Sequence, residues 1–239
     1  MKIFDFSTQW YQFIILAVVC YLIGCFNFAV VIAKFKHKDI TKIGSGNPGT
    51  MNMSREFGAW VGIMTFFLDA FKGGIPAVVS FFIYKDYVFA GTAVVVSDVT
   101  RVFCGLCVVI GHVFPVTMHF KGGKGVASSI GLFWMNLGME NPWLLLVALG
   151  VIITMPVVIT LVKYGSLCSL VYLTGFAVWQ TVLFLDRYTG VFNGYVVWML
   201  LTVFATVALV WAAHHKNLVK ILCGEEHATS FFKKKAKKA

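Results

Sequence analysis

Long apolar runs decide what this chain can fold into. A membrane helix needs roughly 20 apolar residues, rising about 1.5 Å each, to cross a hydrocarbon layer of about 30 Å. The run 10–33 meets that length with Gln12 and Asn27 as its only polar interruptions. Comparable runs lie at 59–84, which carries Asp69 and Lys72, and at 99–118, 142–162, 167–185 and 194–213, with a shorter one at 126–139. Apolar residues make up 59% of the 239 and charged residues only 13%. No soluble domain of that size has an interior large enough to hide so much apolar surface. The pattern predicts an all-α integral membrane protein with seven transmembrane helices, built as a single membrane-embedded domain over residues 1–239. The first run is too long for a signal-peptide core, and no small-x-small cleavage site follows it. The segment 87–96 is too short to span and reads as an external or interfacial stretch.

Basic residues give the sidedness. Seven spans place the two ends on opposite faces, and 15 of the 20 Lys and Arg then fall on one face: in 34–58, around Lys121 and Lys124, at Lys163, and in the C-terminal tail. Basic excess marks the cytoplasmic side, so the N-terminus is expected outside and the C-terminus in the cytoplasm. The net charge of +10 is concentrated in that face and in a polybasic tail, 228–239, suited to anionic lipid and not to nucleic acid.

The six cysteines show no zinc-ribbon or disulfide-scaffold spacing. Cys104 and Cys107, although spaced C-x-x-C, sit on an apolar helix and read as small packing residues. No ligand set has zinc- or calcium-like spacing, so neither a metal nor an organic cofactor is expected.

The polar residues gather in three clusters on the basic face. GSGNPG at 44–49 fits G-x-G-x-x-G, and Asp69 lies twenty residues past Gly49. That fingerprint counts only between a strand and a helix; here a membrane run precedes it and Asp69 lies inside another, so a dinucleotide site is rejected. The physics that remains is a tight glycine turn whose backbone can hold an anion, helped by Ser45, Asn47, Asn52 and Arg55. The second cluster, FKGGKGVASS at 120–129, puts Lys121 and Lys124 around Gly122, Gly123 and Gly125. It lacks the Ser or Thr of a Walker A loop but suits a phosphate at a helix N-terminus. The third, 214–227, brings His214, Asn217, Lys220 and Glu226 to the same face. Asp69 and Lys72, three apart, share a helix face and read either as a structural pair or as a functional site. His112, at the end of the third run, reads as a buried hydrogen-bonding histidine.

Taken in order, these motifs resemble the bacterial acyl-phosphate:glycerol-3-phosphate acyltransferases, the PlsY family. Gly44, Ser45, Gly46, Asn47, Gly49, Asn52, Arg55 and Gly58 match its GSGN-x-GATN-x-x-R-x-x-G. Asp69, Lys72 and Gly73 match D-x-x-KG, and Gly111, His112, Phe114 and Pro115 match GH-x-FP. Residues 120–127 match F-KGGKGVA; Tyr164, Ser166, Leu167 and Ser169 match Y-x-SL-x-S; His214, Asn217, Gly224 and Glu226 match the last motif. Thr50 and Met51 stand where the family has Ala-Thr, and His215 and Lys220 replace two arginines.

The resemblance implies transfer of a fatty acyl group from acyl phosphate to the 1-hydroxyl of glycerol 3-phosphate, giving lysophosphatidic acid and phosphate, in the bacterial cytoplasmic membrane with the site facing the cytoplasm. It implies catalytic roles for His214, Asn217, Lys121 and Ser45. It implies phosphate or substrate binding by Ser45, Gly46, Asn47, Gly49, Asn52, Arg55, Lys121, Gly122, Gly123, Lys124, Gly125, Ser166 and Lys220, and support from Asp69, Lys72, His112 and Glu226. None of the six histidines has Asp five residues on, as another acyltransferase class requires. The base is either His214 or the leaving phosphate itself, and the second is preferred. Three alternatives stand against this reading: an anion transporter, a structural membrane protein, and an acyltransferase using acyl-CoA.

Overall fold

The computed structural model of the chain describes residues 1–191 and 193–225. Helices α1 (Phe6–Gln9), α2 (Tyr11–Cys25), α3 (Phe28–Phe35), α4 (Thr50–Phe57) and α5 (Ala59–Tyr84) lead into α6 (Val96–Val113), α7 (Val126–Glu140), α8 (Pro142–Val162), α9 (Gly165–Arg187), α10 (Gly194–Ala213) and α11 (His215–Leu222). The first apolar run is not one helix. It breaks at Phe26–Asn27, both extended, because the Asn27 side chain accepts the Val30 N–H at 3.0 Å and starts α3 afresh. The third run begins at Val96 and ends at Val113, and a short 3-10 turn, Val116–Met118, takes up its tail.

The fold is not purely helical. Strand β1 (Lys2–Phe4) pairs in parallel with β2 (Tyr87–Phe89), Ile3 opposite Val88. Phe4 and Phe89 point inward and meet edge to face at 5.7 Å, so the sheet closes one end of the bundle with aromatic weight.

Among the described residues, six stretches are long and apolar enough to cross a membrane: Tyr11–Phe35, Ala59–Tyr84, Val96–Met118, Pro142–Val162, Gly165–Arg187 and Gly194–Ala213. Helix α7, at 15 residues, is about 22 Å long. Ten of those residues are buried between α5, α6, α8 and α9, so protein rather than lipid surrounds most of its length.

Close helix approach comes from glycine. A Cβ on Gly131 of α7 would sit 1.9 Å from the Ala70 carbonyl of α5, and one on Gly24 of α2 would sit 2.1 Å from the Val108 carbonyl of α6. In lipid, where apolar burial between helices brings little, such backbone contact supplies the packing.

At the sheet end, Arg101 pairs with Asp98 at 2.9 Å and Arg187 with Asp98 at 2.8 Å, and both arginines also bond Glu140. Tyr188 donates to Asp98 at 2.6 Å and Gln180 to Glu140 at 3.1 Å. Arg101 is completely buried, so this network pins α6, α7 and α9 together at the end opposite the glycine-rich loops 44–49 and 120–125.

Candidate active site

Loops 36–49 and 114–125, the turn 163–164 and helix α11 follow or precede helix ends on one side of the bundle. The glycine loop earns its shape from local chemistry. Gly44 (φ +59) and Gly46 (φ +70) are left-handed, and a Cβ on Gly44 would meet Asn52 Oδ1 at 2.2 Å. Buried Asn52 braces the turn: Oδ1 accepts the Ser45 N–H at 3.0 Å, and Nδ2 donates to the Ile43 carbonyl at 3.0 Å and the Ile40 carbonyl at 3.3 Å. Its amide is therefore spent on the loop backbone. Ser45 faces solvent and Asn47 is half-buried beside it. Gly49 opens α4 without a side-chain cap, and Arg55 lies in that helix's last turn. Uncapped N–H groups at a helix start favour an anion.

The lysine loop folds back onto the end of α6. The Gly122 N–H reaches the Val113 carbonyl and the Gly123 N–H the His112 carbonyl, each at 3.1 Å. These two glycines thus give close approach, not free amides, and a phosphate here meets the lysines. A Cβ on Gly122 would lie 2.1 Å from the His112 carbonyl, and one on Gly123 would lie 2.2 Å from His112 Nε2. Gly125 (φ +83) then turns the chain into α7. Lys121 is exposed, while half-buried Lys124 donates to Asn217 Oδ1 and so joins the second cluster to the third.

His214 sits at the junction of α10 and α11, only 3% exposed. Its Nδ1 donates to the Val210 carbonyl at 2.8 Å, which leaves Nε2 as the nitrogen with the lone pair. Burial, and then the charge of Lys124, push it down to about 4. It is neutral near pH 7 and weakly basic. Lys220 is exposed on α11, and Ser166 lies half-buried in the first turn of α9, a helix that α11 touches. Glu226 and the polybasic tail lie outside the described residues.

Behind the loops lies a buried tie. Lys72 Nζ is 2.9 Å from Asp69 Oδ1 and donates to the Phe26 carbonyl at 2.7 Å; His112 Nδ1 is 3.8 Å from the same carboxylate oxygen. Lys72 therefore caps the broken end of α2, and Asp69 and His112 stand between α5 and the lysine loop. Sequence reasoning grouped these three as supporting residues but missed Asn27 and Thr117, whose side chains bond the backbone around the same break. The polar Asn27 inside an apolar run was the available signal.

The family model described as glycerol-3-phosphate acyltransferase matches residues 14–224. A glycerol-3-phosphate acyltransferase of Aquifex aeolicus is 34% identical over 212 residues, 89% of this chain and 96% of its own. A crystal structure of PlsY, an integral membrane glycerol 3-phosphate acyltransferase, in its glycerol 3-phosphate form, superposes with a TM-score of 0.68 at 31% identity, covering 92% of this chain and 96% of that one. Its lysophosphatidic acid form gives 0.67 over the same shares.

Proposed function

The chain belongs to the glycerol-3-phosphate acyltransferase family, and on that premise we propose that it moves an acyl group from acyl phosphate to the 1-hydroxyl of glycerol 3-phosphate at the cytoplasmic face of a bacterial membrane. The observation that carries the reading is the bond from Lys124 to Asn217, which makes one site of the lysine loop and the His214 cluster.

In this reading Lys121 and Lys124 hold the acyl phosphate and neutralise charge on its carbonyl as it is attacked. Ser45, Asn47, Arg55 and the open start of α4 hold glycerol 3-phosphate. The glycerol oxygen bonds to the acyl carbon; the bond from that carbon to the phosphate oxygen breaks, and its electron pair leaves with phosphate. The low basicity of His214 favours phosphate over imidazole as acceptor of the hydroxyl proton. His214 and Asn217 then orient substrate, with Ser166 and Lys220 beside them. The seven-span arrangement, N-terminus outside, counts α7 as the short fourth crossing and rests on the basic excess of the loop face.

A broken membrane helix and a midplane ion pair are also features of transporters. Here the break is held by side chains: Lys72 donates to the Phe26 carbonyl, and Asn27 donates to the Pro48 carbonyl of the glycine loop. The test is purified protein in vesicles with radiolabelled glycerol 3-phosphate. Lysophosphatidic acid formed with acyl phosphate and not with acyl-CoA is expected. Product from acyl-CoA alone overturns the donor, and uptake without product overturns the enzyme. His214→Ala with substrate binding intact and no turnover would overturn proton transfer to phosphate.

A further inference from the structure

The break between α2 and α3 gathers contacts from both substrate loops. Three of its backbone carbonyls are each received by a side chain from elsewhere: Gly24 and Phe26 by Lys72 Nζ, at 3.4 and 2.7 Å, and Cys25 by Thr117 Oγ1 at 3.1 Å. Thr117 belongs to the turn that leads into the lysine loop, and one α2 turn earlier Tyr21 donates its hydroxyl to the Phe114 carbonyl at 2.9 Å. On the other side, buried Asn27 divides its amide. Oδ1 caps α3 through the Val30 N–H, and Nδ2 donates to the Pro48 carbonyl, 3.3 Å away, inside the glycine loop. Neither Gly nor Pro makes this break, although those residues cause most such kinks. It is made by one amide whose second half holds a loop.

We propose that Asn27 is a positioning residue for acyl transfer: from the broken membrane helix it sets the register of the glycine loop against the lysine loop. This rests on the two-loop site proposed above. Reaction between two separately held phosphate compounds depends on the offset between the loops, and a misplacement of about 1 Å can cost about a hundredfold in rate. Asn27 touches no reacting atom in this scheme and acts through Pro48.

The test separates cap from tether. Asn27→Ser keeps an oxygen for Val30 but is too short to reach Pro48, and Asn27→Asp keeps size and cap while setting oxygen against oxygen at Pro48. Both are purified with the wild type and assayed for acyl transfer against each substrate in turn. The expected result is a kcat lowered about fivefold or more in both variants, as loss of a hydrogen bond of about 1 kcal/mol implies, with the KM for acyl phosphate within twofold and the thermal unfolding midpoint unchanged. An unchanged kcat in both variants overturns the proposal, and so does a lowered kcat accompanied by a lowered midpoint. A wild type that neither binds glycerol 3-phosphate nor turns over defeats the two-loop reading instead, independently of the variants.

Discussion

Replacing Gly123 by alanine should cripple the enzyme through a single steric contact, and a second substitution should relieve it. The added Cβ would stand 2.2 Å from His112 Nε2, and the three nearest atoms all belong to that imidazole. Ordinary contact begins at 3.4 Å, so loop and ring must part by about 1.2 Å. His112 has little room to give: it is buried, with Asp69 on its other side. The loop carrying Lys121 and Lys124 therefore moves, and by the usual sensitivity of rate to position kcat/KM falls about a hundredfold. Overpacking adds about 1–3 kcal/mol of destabilisation. His112→Ala removes the atoms in conflict, so the double variant should lose no more than His112→Ala alone, a large favourable coupling in a double-mutant cycle. Gly150→Ala, with open space around the new methyl, is the control and should act as wild type. The assay is acyl transfer in detergent with unfolding midpoints measured in parallel. Losses that multiply across the cycle, or a fully active Gly123→Ala, would refute the steric account.

Other consequences are as direct. His214, held near 4 by burial, should show no titration near 6.5 by NMR. Because its folded pKa lies below the unfolded value, the unfolded chain binds the extra proton as pH falls from about 6.5 to about 4, and stability should decline across that window. Glu140→Ala strips both Arg101 and Arg187 of a shared carboxylate and should cost about 3–5 kcal/mol in unfolding measurements, with KM values unmoved. Of the six cysteines only Cys223 is exposed, so an impermeant maleimide should label inside-out vesicles and spare right-side-out ones; the reverse would invert the proposed topology.

Hydropathy alone located most helices because lipid leaves a chain few options for its backbone. The ranges 59–84, 142–162 and 194–213 coincide with α5, α8 and α10. What it missed follows from what it ignores. An apolar window averages over Asn27 and is blind to a side chain that turns back on its own backbone. Three-residue strands such as β1 and β2 leave no periodicity to read. The clusters around Ser45, Lys121 and His214 were legible because charge and glycine stand out in a greasy chain. The duties of their atoms were not. That Asn52 serves the loop and that Gly122 and Gly123 spend their amides on α6 depends on geometry between distant segments. The Asp98–Arg101 pair carried the same i, i+3 spacing as Asp69–Lys72 and could have been found by the same rule.

Helix α7 has a mechanical consequence. The lysine loop is mounted on its first turn, and most of its length is sheathed by other helices. Hydrophobic mismatch acts on surfaces that touch acyl chains. A thinner or thicker bilayer should therefore tilt the outer helices first and leave the mount of the lysine loop less strained. On the proposed reading, the loop that holds the acyl donor is thus decoupled from the thickness of the medium that the product helps to build.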